Sequence, residues 1–180
     1  MININFYKKY NSDLFSLLGS EEILKFKKLI EFIKITKKND AKIIIAGNGG
    51  SSAIASHVSV DFTKACNIRS INFNEADLIT CFANDYGYEN WLSKAIEKFA
   101  KKKDLVILIS SSGKSKNIIN AANFCKNNKI KIITLSGFSK NNPLSKIGDI
   151  NFWCNSYSYN KVEMTHHIWL LMIVDYLSVK

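Results

Sequence analysis

Ser110-Ser111-Ser112-Gly113-Lys114-Ser115 places four serines in six residues, directly after the apolar run LVILI. Short hydroxyl side chains let an anion approach the backbone, and the free N–H groups of a helix's first turn complete an anion site. A loop that only caps a helix needs one serine, so four point to a bound phosphate. Lys114 reads as a solvated lysine. A second turn, Gly47-Asn48-Gly49-Gly50-Ser51, follows the run KIII. Its glycines permit left-handed backbone and close approach of a ligand, as they also would in an ordinary strand-to-helix turn. Neither turn fits GxGxxG or GxxxxGK[ST], so a nucleotide gains no support and a small phosphorylated ligand remains.

Both turns need a scaffold. Three segments repeat one pattern, an apolar β-branched run, a Gly/Ser-rich turn and an amphipathic stretch: residues 42–52, 104–115 and 129–139. Continuous apolar runs indicate strands covered on both faces, as in parallel sheets. Two shorter candidates, 70–74 and 150–155, bring the count to five. Helical patterns fill 21–38, 51–65, 76–83, 89–102, 115–127 and 160–178. Alternation of this kind predicts a three-layer α/β sandwich with a five-stranded parallel sheet. In such sheets ligands sit at the carboxyl ends of the strands, which is where both turns fall. Residues 1–40 read as two helices that pack outside the sandwich or on another subunit.

The chain has 180 residues, 47% of them hydrophobic, which fits one domain over residues 1–180 with a proper core. A single proline and no low-complexity segment speak against a linker. No apolar run reaches the roughly 18–20 residues of a membrane span. The start, MININFYKKYNSDLF, lacks a signal-peptide pattern, so the cytoplasm and no membrane partner are expected. Four scattered cysteines (Cys66, Cys81, Cys125, Cys154) have no metal spacing and read as reduced core residues. Net charge is +10, yet it comes from lysine clusters with a lone arginine, Arg69. Arginine is the usual phosphate and base reader, so these clusters read as solvated helix faces and no nucleic-acid partner is expected.

AGNGGSSAIASHVSVDF (46–62), FANDYGYENW (82–91) and ISSSGKSKNI (109–118), in that order, resemble the phosphoheptose isomerase branch of the SIS (sugar isomerase) domain family. The similarity runs from roughly residue 20 to the end of the chain. It implies a flavodoxin-like SIS domain assembled as a homotetramer with sites between subunits. The implied activity is aldose–ketose isomerisation of sedoheptulose 7-phosphate to D-glycero-D-manno-heptose 7-phosphate, a precursor of bacterial surface heptose. By the same resemblance Ser110, Ser111, Ser112 and Ser115 hold the phosphate. Asn48, Gly49, Gly50 and Ser51 contact the sugar, and Asn84 and Asp85 lie by the substrate.

Many members of that family bind zinc through a histidine and a carboxylate one helical turn apart. His57 and Asp61 keep that spacing. On the C-terminal helix the family pattern of Gln or Glu, then His, then a second His meets Glu163, His166 and Leu171. Leucine neither ligates metal nor moves protons, so the last position departs from the pattern. His167 stands one turn earlier on the same face as Leu171 and offers a substitute. Adjacent helical residues point about 100° apart, so His166 and His167 cannot both face one site. The resemblance therefore implies a catalytic set of Asp61, Glu163 and His166 or His167, and a weak zinc site of His57, Asp61 and Glu163. Two other readings stay open: an isomerase for another ketose phosphate, and a non-catalytic SIS module that binds a protein such as the replication initiator.

Overall fold

The structure, a computed structural model, describes residues 3–179. Each apolar run forms a strand: β1 (Ile43–Gly47), β2 (Ser70–Ile71), β3 (Leu105–Ser110), β4 (Lys131–Ser136) and β5 (Ile150–Trp153). All pair in parallel, in the order β2-β1-β3-β4-β5. Seven α-helices accompany them among the described residues: α1 (Ile4–Leu18), α2 (Ile23–Lys38), α3 (Gly50–Lys64), α4 (Ala76–Tyr86), α5 (Trp91–Phe99), α6 (Lys116–Asn127) and α7 (Tyr159–Ser178).

Alternate strand residues feed two cores. Ile43, Ile45, Leu105, Ile107 and Ile109 pack under α2, α3 and α7. Ile44, Ala46, Val106 and Leu108 pack under α4, α5 and α6. Burial on both faces is what the continuous apolar runs require.

Three expectations need correction. The strand expected over 70–74 stops at Ile71 because the next asparagines turn to α3 instead of the ladder. Asn72 Nδ2 donates to Ser59 Oγ at 3.0 Å, and Asn74 Nδ2 donates to Ser56 Oγ at 2.6 Å. Residues 1–40 do not form a single outlying extension. Phe26, Leu29 and Ile33 of α2 are buried, with Phe26 against Phe152 and Trp169, so α2 is part of the sandwich. Only α1 lies outside, burying none of its residues and joined to α7 through Asp13–Lys161 at 2.7 Å. Cys66, Cys125 and Cys154 are buried free thiols as expected, but Cys81 is exposed, on the outer face of α4. The 101–103 lysines are exposed, at the end of the sheet opposite the serine turn.

Candidate active site

The strand order reverses direction between β1 and β3, and Gly47 pairs with Ile109 at that point. A crevice therefore opens at the carboxyl ends of two neighbouring strands whose crossovers lead to different faces, the usual ligand position in such sheets. The glycine turn ends β1 and the serine turn ends β3, so the two sequence-distinctive stretches meet there. One pocket is lined by Asn48, Ser51, Ile109, Ser110, Ser111, Ser112, Ser115, Tyr159 and Glu163.

The serine turn is poised for an anion. Ser110 and Ser111 are buried, and Ser110 Oγ lies 3.2 Å from Ser115 Oγ. Ser111 Oγ is buried with no hydrogen-bond partner among the described residues. A buried hydroxyl left unpaired costs free energy, which an anion in this pocket recovers. Ser115 is the N-cap of α6, whose first-turn N–H groups add a positive pole. Lys114 is exposed and does not line the pocket.

Glycine has a specific task in the other turn. Gly49 takes φ 54°, a left-handed conformation that lets β1 turn into α3. Gly50 is the first residue of α3, and a Cβ built there would lie 2.6 Å from Glu163 Cδ and 2.9 Å from Oε1. The missing side chain is therefore what allows the α7 carboxylate to lie against the N-terminus of α3. Glu163 is the carboxylate of the pocket lining.

Further along the same two helices lies a second cluster. His57 Nε2 stands 3.2 Å from Asp61 Oδ2, and His57 Nδ1 stands 2.9 Å from His167 Nε2. The carboxylate fixes the His57 proton on Nε2, so Nδ1 accepts and His167 Nε2–H donates. Burial, and next the adjacent His57 ring, hold His167 below the ordinary imidazole pKa, while Asp61 opposes them. The result is a hydrogen-bonded row, His167 to His57 to Asp61, half open to solvent.

The expected zinc trio is not assembled. Gly50, which touches Glu163, and His57 are seven residues apart on α3, a rise of about 10 Å. Glu163 thus joins the serine pocket while His57 and Asp61 pair with His167. Among the described residues no three His, Cys, Asp or Glu side chains are grouped to hold a metal ion.

His166, offered by the sequence as an alternative catalyst, points the other way. It is fully buried, its Nε2–H donates to the Ser136 carbonyl at 3.1 Å, and its Nδ1 has no partner among the described residues. Burial pushes its pKa down to about 4. A neutral ring pinned between α7 and β4 does not reach the pocket. Leu171 is half-buried and packs on the core. Asn84 and Asp85 sit on the exposed end of α4, bonded to each other at 3.0 Å, and do not line the pocket.

Sequence reasoning passed over Tyr159, Tyr88 and Asn117. Tyr159 opens α7 and forms a pocket wall. Tyr88 Oη donates to Asn48 Oδ1 at 3.4 Å, and Asn117 bonds the same amide. Both lie inside the quoted stretches FANDYGYENW and ISSSGKSKNI, but nothing in the spacing says that they converge on Asn48.

Known proteins resemble this chain in sequence and in fold. Residues 6–137 match the model of the SIS domain family. A Campylobacter jejuni protein named phosphoheptose isomerase 2 is 40% identical over 153 residues, covering 77% of this chain and 75% of its own. A Helicobacter pylori phosphoheptose isomerase is 36% identical over 139 residues, covering 72% of this chain and 71% of its own. Among solved structures, a phosphoheptose isomerase from Francisella tularensis superposes with a TM-score of 0.88 at 20% identity and full coverage of both chains. One from Neisseria gonorrhoeae gives 0.87 at 20% identity, covering 96% of this chain and 97% of its own. At that identity the superpositions establish the shared fold.

Proposed function

The chain belongs to the SIS domain family, and from that premise we propose that it is a phosphoheptose isomerase converting sedoheptulose 7-phosphate to D-glycero-D-manno-heptose 7-phosphate. The observation that carries this reading is one pocket holding both a serine cradle for a phosphate and a carboxylate, Glu163, for proton transfer.

The chemistry assigns each group a task. A ketose becomes an aldose when a proton leaves C1, an enediol forms, and a proton returns to C2. Ser110, Ser111, Ser112 and Ser115 hold the phosphate with the first turn of α6. Glu163 takes the C1 proton as general base, and the oxygen at C2 is protonated as the enediol forms. The O1 hydroxyl then loses its proton as Glu163 delivers its own to C2, so the carbonyl has moved and no proton is gained or lost overall. Asn48 donates to the oxygen on which charge develops. The His167–His57–Asp61 row lies outside the pocket lining, one turn further along α7, and is assigned the exchange of the oxygen-bound protons with solvent. No step of this scheme is routed through zinc; Glu163 lines the serine pocket while His57 and Asp61 pair with His167.

We place the enzyme in the cytoplasm as a homotetramer. Met164, Ile168, Met172 and Tyr176 form an exposed apolar stripe at a spacing of four along α7, and Phe15 of α1 is 81% exposed. Further copies of the chain covering these faces would remove an aggregation risk. Among the described residues no helix is long and apolar enough to cross a membrane.

Proton NMR of sedoheptulose 7-phosphate with the enzyme in deuterium oxide tests the reaction. The expected result is conversion to the aldose with deuterium entering at C1 or C2. No conversion and no exchange would overturn the assignment, and conversion of a different ketose phosphate alone would change the sugar.

A further inference from the structure

Asn48 and Asn117 form a closed pair of amides. Asn48 Nδ2 donates to Asn117 Oδ1 at 2.9 Å, and Asn117 Nδ2 donates back to Asn48 Oδ1 at 2.9 Å. The two residues are 69 positions apart in sequence, one in the turn after β1 and the other in the first turn of α6. Asn117 is 2% exposed and does not line the pocket, whereas Asn48 does. Any influence of Asn117 on a ligand therefore passes through Asn48.

Counting donors and acceptors shows what the pair achieves. An asparagine oxygen accepts two hydrogen bonds and its nitrogen donates two. Asn48 Oδ1 takes one from Asn117 and a second, longer one from Tyr88 Oη at 3.4 Å. One of its N–H groups goes to Asn117 Oδ1. What remains for the pocket is a single N–H and no free oxygen. Without the pair, the last side-chain torsion is broad and the amide would have no fixed plane at the pocket edge.

We propose that Asn117 is a positioning residue, whose reciprocal amide pair with Asn48 fixes the plane and place of that side chain at the pocket edge, so that its one unpaired N–H is held toward a substrate oxygen. This rests on the reading of the pocket as a sugar-phosphate isomerase site. A locked donor suits an oxygen that gains negative charge as the enediol forms, since a preorganised donor needs no reorientation at that moment. The pair also ties the sugar-contacting turn after β1 to the helix that follows the serine turn, so the two halves of the pocket keep one spacing.

A double-mutant cycle in turnover tests this. Asn117→Ala, Asn117→Asp, Asn48→Ala and the double variant Asn48→Ala/Asn117→Ala are assayed with sedoheptulose 7-phosphate, and inorganic phosphate binding is measured by calorimetry. Asn117→Asp keeps the shape and loses the donor to Asn48 Oδ1, which serves if Asn117→Ala does not fold. The expected result is a loss of about ten- to a hundredfold in kcat for either Asn117 variant, with kcat/KM falling equally and phosphate affinity unchanged. In the Asn48→Ala background the further loss should vanish, because the residue acts only through Asn48. An active wild type in which the two losses multiply, or in which Asn117→Asp keeps full turnover, would overturn the positioning role alone. A wild type that neither turns over nor exchanges the sugar would overturn the isomerase reading, and the proposal with it.

Discussion

Replacing Gly50 with alanine separates catalysis from folding in this chain. The residue begins α3, and its φ is not in the left-handed region, so alanine fits the backbone. Alanine is the better helix former by up to about 1 kcal/mol, so folding stability should hold or rise slightly. The added methyl, however, falls 2.6 Å from Glu163 Cδ, where ordinary contact begins at 3.4 Å. The carboxylate must retreat by at least about 0.8 Å, since Oε2 lies nearer still, and a misplacement near 1 Å costs up to about a hundredfold in rate. A fall in kcat of about ten- to a hundredfold is expected, equivalent to about 1.4–2.7 kcal/mol of barrier. Phosphate binding should be spared, because the serine turn is built on β3 and α6. Steady-state isomerisation of sedoheptulose 7-phosphate, thermal melting and phosphate calorimetry on the same preparation read these three quantities. Glu163→Asp shortens the side chain by one methylene and returns the space, so the double variant should lose less than the product of the two single losses. Wild-type kcat in a well-folded Gly50→Ala enzyme would refute the assignment of Glu163 as the base.

Ser112→Ala with Ser115→Ala removes two hydrogen bonds to a charged group, and sugar-phosphate affinity in calorimetry should fall at least about tenfold with the fold intact. His166 gives a pH signature in stability. Its pKa is about 4 in the fold against 6.5 unfolded, so between these values the unfolded chain binds the extra proton. Its contribution is complete above pH 6.5 and is lost as pH falls, reaching roughly 3 kcal/mol by pH 4. Urea unfolding from pH 7 to 4 should show that slope, and His166→Gln should flatten it. Because Glu163 stands apart from His57 and Asp61, dialysis against a chelator should leave turnover unchanged, whereas His167→Ala should slow it at least about tenfold. A chelator-induced loss restored by zinc would show that substrate or a second subunit draws the ligands together.

Much of the fold is local information and was legible. Ile43–Ile45, Leu105–Ile109 and Ile132–Leu135 advertise buried strands by uninterrupted β-branched and leucine residues, and the turns after the first two advertise a ligand by their composition. Partnership across the chain is a different kind of information. Asn48 and Asn117 read separately as a turn residue and a helix residue, and only the pairing of β1 with β3 brings them together. The choice between His166 and His167 depends on rotation of α7 about its axis, which is set by Trp169, Leu170 and Ile173 entering the core. With those residues inward, His166 follows them and His167 swings toward α3.

The division of the expected zinc trio has the same origin, in the register of two helices. α3 and α7 advance in the same direction, touching at Gly50 with Glu163 and at His57 with His167, and just beyond α3 Cys66 Sγ meets the Val174 carbonyl at 3.4 Å. Each helix rises about 1.5 Å per residue, so side chains that converge between parallel helices need matched spacings. Glu163 and His167 are four apart on α7, while the residues they meet on α3 are seven apart. The unequal intervals reflect the groups in contact: a glutamate side chain against the Gly50 backbone at one end, and two imidazoles meeting ring to ring at the other. At the Gly50 end the Glu163 side chain occupies the space that a residue-50 side chain would need, and the carboxylate lines the serine pocket. At the His57 end there is room for two imidazoles edge to face, with ring centroids 4.9 Å apart. Moving the second imidazole from 171 to 167 therefore does more than shift a ligand by one turn. It gives His57 a hydrogen-bonded partner on the neighbouring helix and leaves Glu163 free to act on carbon.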